Sequence, residues 1–302
     1  MRGSDEPAIE AVGLTKRYGS ITAVDDLSFK VRSGAVTGFL GPNGAGKTTT
    51  LRMVLSLARP TAGYATVVGH PYTKLDDPVR TVGANLEVAG AHPGRSGRNH
   101  LRSLAAMAGL PRGRVEEVLR LVELEDAADR RFGKYSMGMR QRLGLASTLL
   151  GDPAVLVLDE PANGLDPRGI RWLRDFLRAM AGEGRTVLVS SHVLAEVAQT
   201  VDDVVVIHRG RMVTQGPVSQ LTGSGSVRVR TPQAADLRAA LERAGLAAIS
   251  QDDGALLVEA PDAAQVGEVA FRAGVPLHEL TPLATSLEEA FLALTSDSPE
   301  SS

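Results

Sequence analysis

The chain has 302 residues, 43% hydrophobic and 23% charged, with 33 basic against 35 acidic side chains and a formal net charge of −2. That balance argues against a nucleic-acid partner, and the absence of cysteine excludes disulfides, thiol catalysis and cysteine-bound zinc. No run reaches the ~18–20 uncharged apolar residues of a membrane span, and MRGSDEPAIEAV carries no secretory core. A soluble chain is expected, with any membrane role coming through a partner. The length suits one domain of roughly 200 residues and a smaller one.

In chain order, IEAVGLTKRYG, ITAVDDLSFKV and AVTGFL read as strands from their alternation and β-branched residues. A glycine-rich loop follows, and then TTTLRMVLSLA, whose apolar residues recur at helical spacing and which Pro60 and Gly63 are expected to end. ATVVGH at 65–70 reads as a short strand. Between 92 and 150 strand signals thin out, and RNHLRSLAAMAGL and RVEEVLRLVELEDAAD have helical periodicity, so a helical insertion is expected. AVLVLDEP is a short apolar strand, RGIRWLRDFLRAMAGEG a helix, RTVLVSSH a strand and VLAEVAQTV a helix. DDVVVIHRG and RMVTQGP add two strands. Strands alternating with helices imply an α/β domain over 1–222, with a parallel sheet covered on both faces. Past the linker QLTGSGS, residues 226–296 read as a small α+β domain: VRVRT, QAADLRAALERAG, AAIS, ALLVEA, DAAQVGEVAFRAG, PLHEL and SLEEAFLALT.

The segment GPNGAGKTT, Gly41 to Thr49, fits G-x-x-x-x-G-K-[ST] between a strand and a helix. Glycines let the backbone turn its N–H groups toward phosphate oxygens, and the following helix adds the positive end of its dipole. Lys47 supplies a cation for the β- and γ-phosphates, and the Thr48 hydroxyl is placed to ligate Mg2+. Pro42, Asn43, Gly44, Ala45, Gly46 and Thr49 complete the candidate phosphate loop. The competing reading is an ordinary glycine turn with an exposed lysine. About 110 residues later, AVLVLDEP delivers Asp159 and Glu160 at the end of a buried strand. Beside a magnesium triphosphate, Asp159 would help hold the metal through water and Glu160 would act as general base on the attacking water.

Five further segments occur in an order that resembles the ATP-binding cassette (ABC) ATPases over residues 8–220. TKRYGS at 15–20 resembles the adenine loop, with Tyr18 as the stacking aromatic, though a strand-end tyrosine can also pack locally. YSMGMRQRLGLA at 135–146 resembles the family signature. Ser136 and Gly138 match it, while Met137 and Met139 depart, and methionine at 139 lacks the polar contacts of the usual glutamine. ANGLDP at 162–167 resembles the D-loop, with Asp166 crossing a dimer interface. SSH at 190–192 resembles the switch segment, with His192 on the γ-phosphate. VGANLEVAG at 82–90 stands at the Q-loop place, where Glu87 replaces glutamine as a candidate metal or water contact. The arginine- and histidine-rich AHPGRSGRNHL after it is a solvated loop or part of a permease-facing surface.

The resemblance implies a P-loop NTPase cassette: a mixed sheet core, an antiparallel β-subdomain and a helical insertion. It also implies ATP and Mg2+ as ligands, and a homodimer in which the phosphate loop of one chain and the signature of the other enclose each ATP. A separate membrane permease is the implied partner, on the cytoplasmic face of the cell membrane. The tail, ending in TSLEEAFLALT, is similar to the daunorubicin-type drug-resistance exporters, although a stability module would also fit. Two other readings stay open: a soluble ABC ATPase acting on DNA or ribosomes, and a regulatory module that binds nucleotide without turnover.

Overall fold

Alternating residues in the first thirty positions form a long antiparallel pair, β1 (Pro7–Tyr18) and β2 (Ile21–Arg32), to which β4 (Ala62–Val67) adds on the other side of β1. The computed structural model describes residues 6–86, 90–193, 200–221, 226–251, 253–260 and 262–283. By contacts the chain divides into two units, Met1–Gly216 and Pro217–Ser302.

In the first unit a second sheet has the order β5-β6-β7-β3-β8-β9. Its strands are β3 (Val36–Leu40), β5 (Val82–Asn85), β6 (Val155–Leu158), β7 (Thr186–Ser191), β8 (Asp203–His208) and β9 (Arg211–Pro217). The pairs from β5 to β8 are parallel. Every residue of β3, β6 and β7 is buried, as expected of parallel strands covered on both faces. β8 and β9 are joined by Arg209 and Gly210, both at positive φ (49° and 80°), the type I′ geometry that suits a two-residue hairpin. The expected cassette fold is therefore present: a mixed sheet, an antiparallel sheet beside it, and helices.

Between the two sheets lies the core. Helix α1 (Lys47–Val54) inserts Leu51, Met53 and Val54 among Leu14, Val24, Leu27 and Val205. The rings of Phe29 and Phe39 tie the sheets together at 5.2 Å. The insertion contains α3 (Gly97–Met107), α4 (Gly113–Leu121) and α5 (Met137–Leu149). They bury Leu101, Ala105, Val115, Val118, Leu119 and Leu143.

Local chemistry moved several expected boundaries. Helix α1 stops at Val54, before Pro60 and Gly63: Ser56 turns to φ 56°, and the N–H groups of Leu57 and Ala58 both donate to the Arg52 carbonyl. Gly63 belongs instead to β4, where a Cβ would lie 2.2 Å from the Gly13 carbonyl oxygen of β1. The helix from Arg114 ends at Leu121, and Glu123 follows at φ 55°. Just ahead of the Q-loop place, Pro78–Thr81 is a helical turn (α2) capped by Asp77 that continues directly into β5. Residues 194–199 of the expected helix after His192 lie outside the described residues.

After a short helical turn at Val218–Leu221, the second unit runs strand, helix, strand, strand, helix, strand from Ser226. Its sheet, β11 (Ala248–Ser250), β12 (Leu256–Glu259), β10 (Ser226–Arg230) and β13 (Glu279–Leu283), is antiparallel in that order. This is the split βαβ, ferredoxin-like arrangement. The helices Ala234–Arg243 and Ala263–Arg272 press Leu237, Leu241, Val266 and Ala270 onto Val227, Val229, Leu256 and Val258. Asp253 receives hydrogen bonds from Arg228 and Arg230. Its carboxyl is pushed down to about 2, chiefly by the Arg230 guanidinium. The last strand occupies 279–283 rather than 276–280. The expected helix at 286–295 lies outside the described residues.

Candidate functional site

The phosphate loop leaves the end of β3 and re-enters the fold as α1. Gly44 and Gly46 have φ of 82° and 101°, values open to glycine without strain. Sterics add a second requirement. A Cβ on Gly41 would stand 2.4 Å from the Ile207 carbonyl oxygen of β8, and one on Gly46 would stand 2.5 Å from the Ala23 carbonyl oxygen of β2. The loop is thus clasped between the two sheets. Lys47 folds back beneath it, only 6% exposed, and donates to the carbonyl oxygens of Gly41 (2.7 Å) and Pro42 (3.2 Å).

Two carboxylates reach the same place from the end of β6. Asp159 Oδ2 accepts from the Thr48 hydroxyl at 2.6 Å, and its other oxygen accepts from Ser190 Oγ at the end of β7. Glu160 bridges two side chains: Oε1 pairs with Lys47 Nζ at 3.1 Å and Oε2 meets His192 Nδ1 at 2.7 Å. The Glu160 backbone is at φ 49°, an uncommon value for a residue with a side chain, and such outliers gather at functional sites. Its N–H donates to Ser190 Oγ at 2.9 Å. Lys47, Thr48, Asp159, Glu160 and His192 therefore form one network through Ser190, although they come from three separate stretches of sequence. Ala23, Asn43, Gly44, Gly46, Lys47, Thr48, Thr49, Glu160, Asn163 and His192 line a pocket of about 300 Å³.

Ser190 is fully buried and is the residue that sequence reasoning passed over, because attention in SSH fell on the histidine. A hydroxyl at the end of an otherwise apolar strand is the signal that could have revealed it. Ser190→Ala would leave the Glu160 N–H and one Asp159 oxygen without this partner. Loss of a hydrogen bond to a charged group costs about 1.5–3 kcal/mol, so ATP turnover is expected to fall roughly 10- to 100-fold. Steady-state kinetics beside a melting curve would check this; an unchanged kcat would contradict it.

The remaining sequence candidates lie at different places. Tyr18 ends β1 half exposed, with Lys16 Nζ 4.9 Å from its ring centre. Ser136 caps α5, accepting from Met139 N–H at 3.2 Å, and Gly138 lies in the first turn of that helix. Asp166 caps α6 (Pro167–Gly182) through Gly169 N–H at 2.7 Å. The signature stretch also carries the buried Gln141, which donates to the Asn163 carbonyl at 3.1 Å. Glu87 lies outside the described residues.

A family model described as "ABC transporter" matches residues 24–163, and a second, a domain of unknown function, matches 225–288. An uncharacterized ABC transporter ATP-binding protein of Bacillus subtilis, YhcH, is 36% identical over 298 residues and covers 97% of each chain. The chain belongs to the ABC transporter ATP-binding proteins. This ABC subunit hydrolyses ATP, and the subunits of its family work with separate membrane permeases. The daunorubicin/doxorubicin resistance ATP-binding protein DrrA of Streptomyces peucetius is 37% identical over 306 residues, covering 95% of this ABC subunit and 92% of DrrA. The bacitracin transport ATP-binding protein BcrA of Bacillus licheniformis is 42% identical over 216 residues, or 70% of this chain and 71% of BcrA. A solved structure, described as the ATP binding subunit of an ABC transporter, aligns with a TM-score of 0.64 and 26% identity over 71% of this chain and 91% of that one.

Proposed function

We propose that two copies of this subunit close head to tail on two ATP molecules and drive a permease that exports a drug, antibiotic or lipid-like compound, working at the cytoplasmic face of the cell membrane. The observation that carries the catalytic half is the network joining Lys47, Glu160 and His192 beside Thr48 and Asp159. The transport half is supported by likeness to proteins named for daunorubicin/doxorubicin resistance and bacitracin transport. Among the described residues no helix is long and apolar enough to cross a membrane, and the separate permease is taken from the way the subunits of this family work.

Placement supports the roles proposed for Lys47, Thr48, Asp159, Glu160 and His192, and the family resemblance supports those proposed for Tyr18, Ser136, Gly138, Asp166 and Glu87. Loop N–H groups and the first turn of α1 receive the phosphates, and Lys47 neutralises the β- and γ-oxygens. Thr48 and Asp159 are hard oxygen donors in contact with each other, and no group of three or more His, Cys, Asp or Glu among the described residues could hold a metal alone. That donor set fits Mg2+, which binds through few protein oxygens together with substrate phosphates. Bound there, the ion would neutralise charge on the phosphate oxygens. Glu160 accepts a proton from water as the water oxygen bonds to the γ-phosphorus. The bond from that phosphorus to the β–γ bridging oxygen then breaks, yielding ADP and phosphate. His192 holds Glu160 through Oε2 and faces the γ-phosphate. Tyr18 stacks on adenine. Ser136 and Gly138 of the second copy offer a helix N-terminus to the same γ-phosphate, and Asp166 lies at the seam. Glu87 is the candidate for a further water or metal contact.

Gentle membrane solubilisation followed by affinity capture of the tagged subunit is expected to bring down a multi-spanning membrane protein at equal stoichiometry. Recovery with ribosomes or DNA in its place would overturn the transport reading.

A further inference from the structure

The signature stretch departs from the family pattern at Met137, and the structure shows where that side chain goes. Met137 is the first residue of α5, and its Cγ lies 2.7 Å from the point where a Cβ on Gly164 would stand, with its sulfur 3.7 Å away. Gly164 has φ 76°, so a side chain there is disfavoured both by the backbone and by Met137. The residues on either side are seated by the same helix. Gln141 holds the Asn163 carbonyl, and a Cβ on Gly138 would stand 3.6 Å from Leu165 Cδ2. Asn163 in turn donates its N–H to the Glu160 carbonyl at 3.2 Å and lines the nucleotide pocket.

We propose that Met137 is a positioning residue for ATP hydrolysis. Its flexible thioether side chain fills the space above Gly164 and seats the loop from Pro161 to Leu165 on α5. That loop is the continuation of Glu160, whose backbone is held at positive φ, so the Met137 contact fixes where the Glu160 carboxylate stands relative to Lys47 and His192. A residue with no side chain at 137 would leave this loop untethered on one side. The inference rests on the assignment of Glu160 as general base.

The test uses the full chain and four variants: Met137→Ala, Met137→Leu, Gly164→Ala and the double Met137→Ala/Gly164→Ala. Contacting residues show coupling of about 0.5–3 kcal/mol. Met137→Ala is accordingly expected to lower kcat about fivefold while the KM for ATP stays within about twofold. Met137→Leu, which refills the space, should restore most of the rate. Gly164→Ala should be slower still, and the double variant should turn over several-fold faster than Gly164→Ala, because the collision is relieved while the backbone strain remains. A wild-type kcat in Met137→Ala would overturn the proposal. So would a Met137→Leu enzyme as slow as Met137→Ala, or a double variant whose loss equals the product of the single losses. If Gly164→Ala fails to fold, the comparison of alanine and leucine at 137 still decides. Glu160→Gln assayed alongside separates the two readings: loss of turnover there with a flat Met137 series overturns only the positioning role.

Discussion

Glu160→Gln should lower ATP turnover by about 10²- to 10⁴-fold, the range expected when a positioned general base is removed, while ATP still binds. The amide keeps the shape of the side chain and can still bond to His192 Nδ1, but it cannot take a proton from water. It also gives up the charge that now pairs with Lys47 at 3.1 Å. Lys47 is thereby left freer for phosphate, so affinity for ATP is expected to hold or rise. With hydrolysis blocked, two subunits closed on ATP should persist as a dimer. Size-exclusion chromatography with light scattering, with and without ATP, reads that state, and a phosphate-release assay reads turnover. Hydrolysis at the wild-type rate would remove Glu160 from the role.

Lys47→Ala should act one step earlier, on binding. The ammonium makes three contacts in the folded chain, to the Gly41 and Pro42 carbonyls and to Glu160. Phosphate would compete for this donor set. A hydrogen bond to a charged group is worth about 1.5–3 kcal/mol, and several phosphate oxygens lose their partner at once. The Kd for ATP is expected to rise at least 10- to 100-fold, with turnover lost at ordinary ATP concentrations. Titration with a fluorescent ATP analogue measures this directly. Lys47→Arg should not rescue, because a planar guanidinium must fit a space in which the lysine is only 6% exposed. Unchanged affinity in Lys47→Ala would show that the loop binds phosphate through its backbone alone.

Much of this was legible in the sequence wherever a short-range rule applied. The GPNGAGKTT spacing placed Lys47 and Thr48 at the start of a helix, and the apolar run ending in Asp159 and Glu160 placed both at the end of a buried strand. What stayed hidden depended on contacts between distant segments. Nothing near Gly63 says that it must admit the Gly13 carbonyl of a neighbouring strand, so it read as a helix stop. The four residues of β5 carry too little periodicity to mark a strand in VGANLEVAG; their pairing partner β6 lies some 70 residues away. Ser190 escapes sequence reading because its value lies in two partners just past the end of β6: its hydroxyl accepts from Glu160 N–H and donates to Asp159. Met137 read as a departure from a pattern, and only the position of Gly164 shows what that departure touches.

The nine-residue loop is often treated as a portable device, a string that can be moved between proteins. The contacts of Gly41 and Gly46 with Ile207 and Ala23 say otherwise. Each glycine lacks a Cβ because a neighbouring main chain occupies that space, so the motif is matched to two sheets as much as to phosphate. Transplanted to another strand-to-helix junction, the same letters would lose these walls and the shape they enforce. Conversely, a change in β2 or β8 that shifts either carbonyl by a fraction of an ångström would reach the nucleotide without altering any letter of the motif.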